Sequence, residues 1–452
     1  MADISYITKK YLVLLLGAVF VVSFGFSLYY KIRPTVDAKA YNNIAWNLAR
    51  GNGYIEDQKN AATPERDDAI VRVGPGYEFF LAGTYVVFGH HIWIVWLLQA
   101  LLRVGTVYIL FRMAMLLLTE NSARESIGLL AAAFFGFMPD LIILSGMLLA
   151  ETLYLFMCML ALYVSLRALE ANKTPLFASI SWGIAALVRP TALAVAILYA
   201  IGAYIIKRKV FLVISILLFP FLFLGAWSLR NSLLFNKPLF TTTAGAYALW
   251  VGNNPDAIGG FDKTPEIQKI RDGHHSVELS EIGMQKYFDF LRENPLQFMA
   301  LQIKKTSMYF SIVRPTGFWF FLMNKPAEQL LTLVFSALAT AFLFIVGGAG
   351  MCLYATRREK YAWFLVSTAL LQPLTVIPLY VETRYRAPFF PFLAFFAAYT
   401  LYMLWQYRKE SASYIYRALC IVGILVLLLT LSDAIYSYNV IMERLHSLFM
   451  RL

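Results

Sequence analysis

Residues Tyr11 to Tyr30 read YLVLLLGAVFVVSFGFSLYY, a run without a single charged side chain. A helix rises about 1.5 Å per residue, so about 20 apolar residues cross about 30 Å of hydrocarbon. A cleaved signal peptide would have a shorter apolar core followed by a small-residue cleavage site. Neither is present, and the stretch reads as a retained anchor. Outward from it, apolar runs recur at about 92 to 118, 127 to 139, 148 to 168, 174 to 188, 190 to 206, 210 to 229, 328 to 355, 361 to 380, 387 to 406 and 414 to 436. Some are interrupted, at Pro139 and at Arg189-Pro190. The pattern predicts an all-α polytopic membrane protein with about eleven transmembrane helices.

Composition agrees. The chain is 60% hydrophobic, 16% aromatic and 15% charged, with mean hydropathy +0.62; soluble domains are about half apolar and about a quarter charged. Cys158, Cys352 and Cys420 lie singly in apolar runs, with no metal or redox spacing. The net charge of +12 does not point to nucleic acid, because Lys and Arg cluster between apolar runs instead of along one face.

Those clusters set the orientation. Threading the runs from a cytoplasmic N-terminus places Lys9/Lys10, Arg167/Lys173, Lys207/Arg208/Lys209, Arg357/Arg358/Lys360 and Arg408/Lys409 inside, as the bias of basic residues toward cytoplasmic loops requires. Two long segments are then extracytoplasmic, at 31–76 and 231–326, with C-terminal helices over 328–436 of a single membrane domain spanning 1–452. Each outer segment carries an amphipathic stretch at helical spacing, Ala38 to Arg50 and Pro295 to Phe310, suited to lying along the interface.

An ionisable side chain at membrane depth is costly and marks a candidate site. Asp37, about seven residues past the first span, could cap the helix that follows or take a proton from an incoming hydroxyl. Glu151 opens an apolar helix after Pro139-Asp140, where a carboxylate also suits the helix dipole. Arg72, Arg189, Arg230, Arg384 and Arg386 lie at span ends on the outer face, against the basic-inside bias. Guanidinium groups there suit phosphate at headgroup depth, whereas any one alone could snorkel to lipid. Phosphate-binding loops, zinc-protease motifs and dinucleotide fingerprints are missing.

The order of these features resembles the membrane glycosyltransferases of the GT-C fold, above all the bacterial branch related to protein O-mannosyltransferases and the lipid A aminoarabinose transferase. The likeness runs through Asp37 with Tyr41-Asn-Asn-Ile-Ala-Trp-Asn-Leu-Ala-Arg50-Gly51-Asn-Gly53-Tyr54, Arg72-Val-Gly74-Pro75-Gly76-Tyr77, Ala150-Glu151-Thr-Leu, Leu187-Val-Arg189-Pro190, Leu229-Arg230-Asn231, Gly252-Asn253-Asn254-Pro255 and Arg384-Tyr385-Arg386-Ala-Pro388. Gly74 stands where relatives carry a first proline, and Arg72 lies one residue further back than their charged position.

The resemblance implies transfer of a sugar, with inversion, from a polyprenyl-phosphate-linked donor to an extracytoplasmic lipid, polysaccharide or protein acceptor. Asp37 and Glu151 would be catalytic. Arg72, Arg189, Arg384 and Arg386 would bind the donor phosphate, and Tyr41, Tyr77, Arg230, Asn253, Asn254, Glu382 and Lys305 would line the substrate site. No cofactor is required, though a divalent metal is compatible. The expected location is the plasma membrane, multi-pass, with the site on the extracytoplasmic or periplasmic face. A flippase or transporter of lipid-linked sugars, and a polymerase or ligase using lipid-pyrophosphate oligosaccharides, are the competing readings.

Overall fold

The computed structural model describes residues 4–67, 69, 74–118, 121–261, 264–313, 320–356, 361–407 and 412–451. Among them there is no β-strand; the backbone is satisfied within helices, as hydrocarbon demands. Among the described residues seven helices are long and apolar enough to cross a membrane: Tyr6–Tyr30, Ile92–Leu117, Glu151–Glu170, Val210–Phe235, Pro326–Thr356, Thr383–Gln406 and Ser413–Tyr436. The pair Ala123–Gly136 and Pro139–Gly146, bent by 54°, makes an eighth if taken as one span.

The expectation of about eleven spans depends on three further apolar helices, Leu176–Val188, Ala192–Lys207 and Ala362–Val376. At 13, 16 and 15 residues they reach only about 20 to 24 Å at the helical rise, short of about 30 Å. The third of these runs loses its end to a turn after Val376. The apolar helix Gly76–Phe88 was not anticipated.

The chain forms two compact units. One comprises residues 1–25, 107–143 and 299–452, the other 26–106 and 144–298. In the second unit, α1 (Tyr6–Tyr30) ends and is followed by α2 (Asp37–Ala49), α3 (Gly76–Phe88) and the start of α4 (Ile92–Leu117). The first unit holds the rest of α4 together with α5 (Asn121–Gly136) and α6 (Pro139–Gly146). The second resumes with α7 (Glu151–Glu170), α8 (Leu176–Val188), α9 (Ala192–Lys207) and α10 (Val210–Phe235). Polar side chains tie these helices where apolar surface alone would not select a register. Trp182 Nε1 donates to Ser165 Oγ at 3.0 Å, Tyr199 OH to the Ser165 carbonyl at 2.6 Å, and Ser179 Oγ to the Ile216 carbonyl at 2.8 Å.

The large outer segment of the same unit is helical: α11 (Ala244–Gly252), α12 (Pro265–Gly273) and α13 (Ser276–Glu293). They close over a small core of Tyr247, Trp250, Val251, Ile267 and Leu279. α14 (Pro295–Phe310) follows with the bounds the sequence suggested. In the first unit a π-helical turn, Leu343–Gly347, interrupts the span Pro326–Thr356; such turns re-aim side chains and are frequent at functional sites.

Candidate active site

α2 begins under strain. Val36, its N-cap residue, has φ 46° and caps nothing with its side chain, although a β-branched residue avoids that region at a cost of about 1–3 kcal/mol. Asp37 is therefore the first helical residue and not the cap, and it remains partly exposed. One turn on, Tyr41 occupies the same face but is 4% exposed. Burial drives the Tyr41 phenol well above its usual pKa; Asp37, Glu78 and Glu151 add to the rise, and Arg189 opposes it. The Tyr41 hydroxyl thus stays protonated amid three carboxylates and one guanidinium, a donor and never a base.

Two glycines make this convergence possible. A Cβ on Gly74 would run into the Leu187 carbonyl oxygen, and one on Gly76 would lie 2.6 Å from the Val188 backbone nitrogen. Glycine lets the two backbones meet, which sets the start of α3 against the residues just ahead of Arg189. Tyr77 is fully buried and meets the Tyr41 ring edge to face at 5.5 Å. Its hydroxyl donates to Gln99 Oε1 at 2.9 Å, and Gln99 Nε2 donates to the Ser145 and Met147 carbonyls, each at 2.8 Å. That chain of bonds fixes the break before α7, and with it the place of Glu151.

Glu151, 2% exposed, accepts from Arg189 Nη2 at 2.6 Å, with the Arg189 side chain 13% exposed. The Arg189 guanidinium also lies 5.8 Å from the Tyr154 ring centroid, and Tyr154 OH and Thr191 Oγ1 are 3.1 Å apart. Neither acid of the expected pair is a helix cap; α7 has Ala150 at its N-cap, and Glu151 serves a charge contact instead. The cluster extends through Glu78, fully buried, which accepts from Tyr54 OH at 3.1 Å. The Tyr54 phenol too is pushed well above its usual pKa, by burial and then by Glu78. Arg230 stands over Trp227 at 5.0 Å and Tyr54 at 5.7 Å.

Other expected residues lie elsewhere. Asn253 Nδ2 donates to the Leu249 carbonyl at 2.7 Å, and Asn254 Nδ2 to those of Trp250 and Val251 at 3.1 Å; both amides close the end of α11. Lys305, Glu382, Arg384 and Arg386 belong to the first unit. Lys305 is fully buried on α14 and donates to the Leu379 carbonyl at 2.9 Å, and burial pulls its ammonium down to about 7. Arg386, 2% exposed, donates to the Met308 carbonyl at 2.5 Å and lies 5.7 Å from the ring of Phe344, which the π-helical turn supplies. Arg384 pairs with Glu382 at 2.8 Å. Arg72 lies outside the described residues.

The structure thus joins Asp37, Tyr41, Tyr77, Glu151, Arg189 and Arg230 with Glu78, which no sequence motif marked, and with Tyr54, which ends the first-loop motif without a role assigned to it. Glu78 carried the same signal as Glu151, a carboxylate in the first turn of an apolar helix. Among the described residues no group of three or more His, Cys, Asp or Glu is arranged to hold a metal.

Residues 72–227, about a third of the chain, match the family of dolichyl-phosphate-mannose-protein mannosyltransferases. The resemblance read from the motifs therefore holds across α3 to α10, which include Glu78, Glu151 and Arg189. No curated protein matches the chain. Among solved structures, ArnT of Cupriavidus metallidurans, crystallised bound to undecaprenyl phosphate, is similar at 14% identity and a TM-score of 0.44, over 96% of this chain and 73% of that one. An oligosaccharyltransferase of Archaeoglobus fulgidus, in complex with zinc and sulfate, is similar at 15% identity and a TM-score of 0.46, over 93% of this chain and 53% of that one. This chain thus spans about half the length of the latter.

Proposed function

We propose that this protein is a membrane glycosyltransferase that moves a sugar from a polyprenyl-phosphate-linked donor to an extracytoplasmic acceptor, with inversion. The observation that carries the reading is the differing state of three neighbouring carboxylates. Glu78 is sealed against Tyr54 and Glu151 against Arg189, whereas Asp37 is partly open to solvent. Asp37 is therefore the one suited to meet an acceptor and take its hydroxyl proton. The acceptor oxygen then bonds to the anomeric carbon as the bond from that carbon to the phosphate oxygen breaks. The lipid phosphate leaves with the electron pair, and a single displacement inverts configuration.

Negative charge growing on the departing phosphate needs fixed donors. A guanidinium has five N–H donors; Arg189 commits part of them to Glu151 and is held rigid by that pair. Tyr41 is proposed to donate to a substrate oxygen beside it. The working face is the extracytoplasmic side of the plasma membrane, and the acceptor is a lipid, a cell-envelope polysaccharide or a protein.

Asp37→Asn tests the reading directly. Loss of a general base costs about 10²–10⁴-fold, so turnover of a polyprenyl-phosphate sugar should fall at least a hundredfold while donor lipid still binds. A variant that keeps full turnover, or a wild type that moves lipid-linked sugar across vesicles without forming a glycosidic bond, would instead indicate a transporter.

A further inference from the structure

α7 begins at Glu151 and α8 ends against Arg189, and a second basic feature lies at the opposite end of this helix pair. α7 is 20 residues long, about 30 Å from Glu151 to its C-terminus. There the α7–α8 turn and the α9–α10 turn border a small, partly open pocket of about 40 Å³ whose lining includes Lys173, Lys207 and Lys209 and no acidic side chain. Two of its bounding turns are held in left-handed backbone conformations, at Asn172 (φ 51°) and Arg208 (φ 54°). Lys207 Nζ donates to Asn172 Oδ1 at 2.5 Å, a neutral partner that positions the ammonium without cancelling its charge. Leu169 and Leu212 contribute an apolar wall.

We propose that this pocket binds the phosphate headgroup of an anionic phospholipid of the cytoplasmic leaflet, with an acyl chain against the apolar wall. Three cations from turns more than thirty residues apart in sequence converge on one concavity, which is more than the general excess of basic residues on that side requires. Each lysine at an anionic surface contributes about fivefold in affinity. An acyl chain can reach the wall directly from the bilayer, which a soluble phosphate cannot exploit. With the length of α7, about 30 Å, between it and Glu151, the pocket is a different site from that of the donor phosphate.

The test is native mass spectrometry of the full-length protein in detergent, titrated separately with short-chain phosphatidylglycerol, phosphatidylcholine and inorganic phosphate. Lys173→Gln/Lys207→Gln/Lys209→Gln should weaken phosphatidylglycerol binding at least tenfold, whereas Lys9→Gln/Lys10→Gln/Arg417→Gln, which removes equal charge from exposed positions, should change it less than twofold. Leu212→Trp, which keeps all three lysines, should also weaken it if thermal unfolding shows the variant folded. Equal loss in both triple variants, equal binding of phosphatidylcholine, or inorganic phosphate displacing the lipid at matched concentration would each overturn the proposal.

Discussion

Breaking the Glu151–Arg189 pair one partner at a time, and then both together, probes the centre of the site. At 2.6 Å and an effective dielectric of about 20, the Coulomb attraction is about 6 kcal/mol, much of it offset by the cost of removing both charges from water. The single changes Glu151→Gln and Arg189→Met each leave the opposite charge buried without its counter-charge and should cost about 3–5 kcal/mol. The double variant should cost clearly less than their sum, with a coupling energy of about 2 kcal/mol or more. Chemical unfolding of the purified protein, followed by tryptophan fluorescence, measures all four corners of the cycle. Additive losses would show that the two side chains do not share a contact, and the account of how Arg189 is held would fall with it. Turnover adds a second readout. In the proposed mechanism Glu151 positions and Asp37 reacts, so Glu151→Gln should lose less activity than Asp37→Asn, and equal near-complete losses would refute that division of roles.

Other outcomes follow from the same geometry. Gly74→Ala places a methyl group against the Leu187 carbonyl; overpacking of that kind costs about 1–3 kcal/mol, and the variant should also lose turnover because the segment before Arg189 must shift, whereas unchanged stability would deny the close approach. Tyr41→Phe removes a neutral donor among three carboxylates and should lower turnover about tenfold or more with little change in fold; activity equal to wild type would show that the hydroxyl touches no substrate. Burial pulls the Lys305 ammonium down to about 7, whereas the unfolded chain holds that proton to higher pH, so stability measured by chemical unfolding should rise with pH above about 7; Lys305→Met should flatten the rise, and a wild-type stability that does not change above about pH 7 would refute the shift.

The membrane class and the bounds of α14 were legible in the sequence because each is a property of consecutive residues. Apolar length and helical spacing both read along one segment. For the same reason the helix carrying Tyr41 could be placed directly after Asp37. The partners of buried charges could not be read this way. Arg189 meets Glu151 38 positions away, and Lys305 meets the Leu379 carbonyl 74 positions away; nothing in local spacing distinguishes an arginine that snorkels to lipid from one held by a carboxylate across a helix pair. Gly74 and Gly76 read as an altered turn motif, yet their role is to let two distant backbones touch, a requirement that exists only once α3 packs on the end of α8. Glu78 was passed over because a first-turn carboxylate is ordinary until burial makes it costly, and burial is decided by what tertiary packing places on top of it.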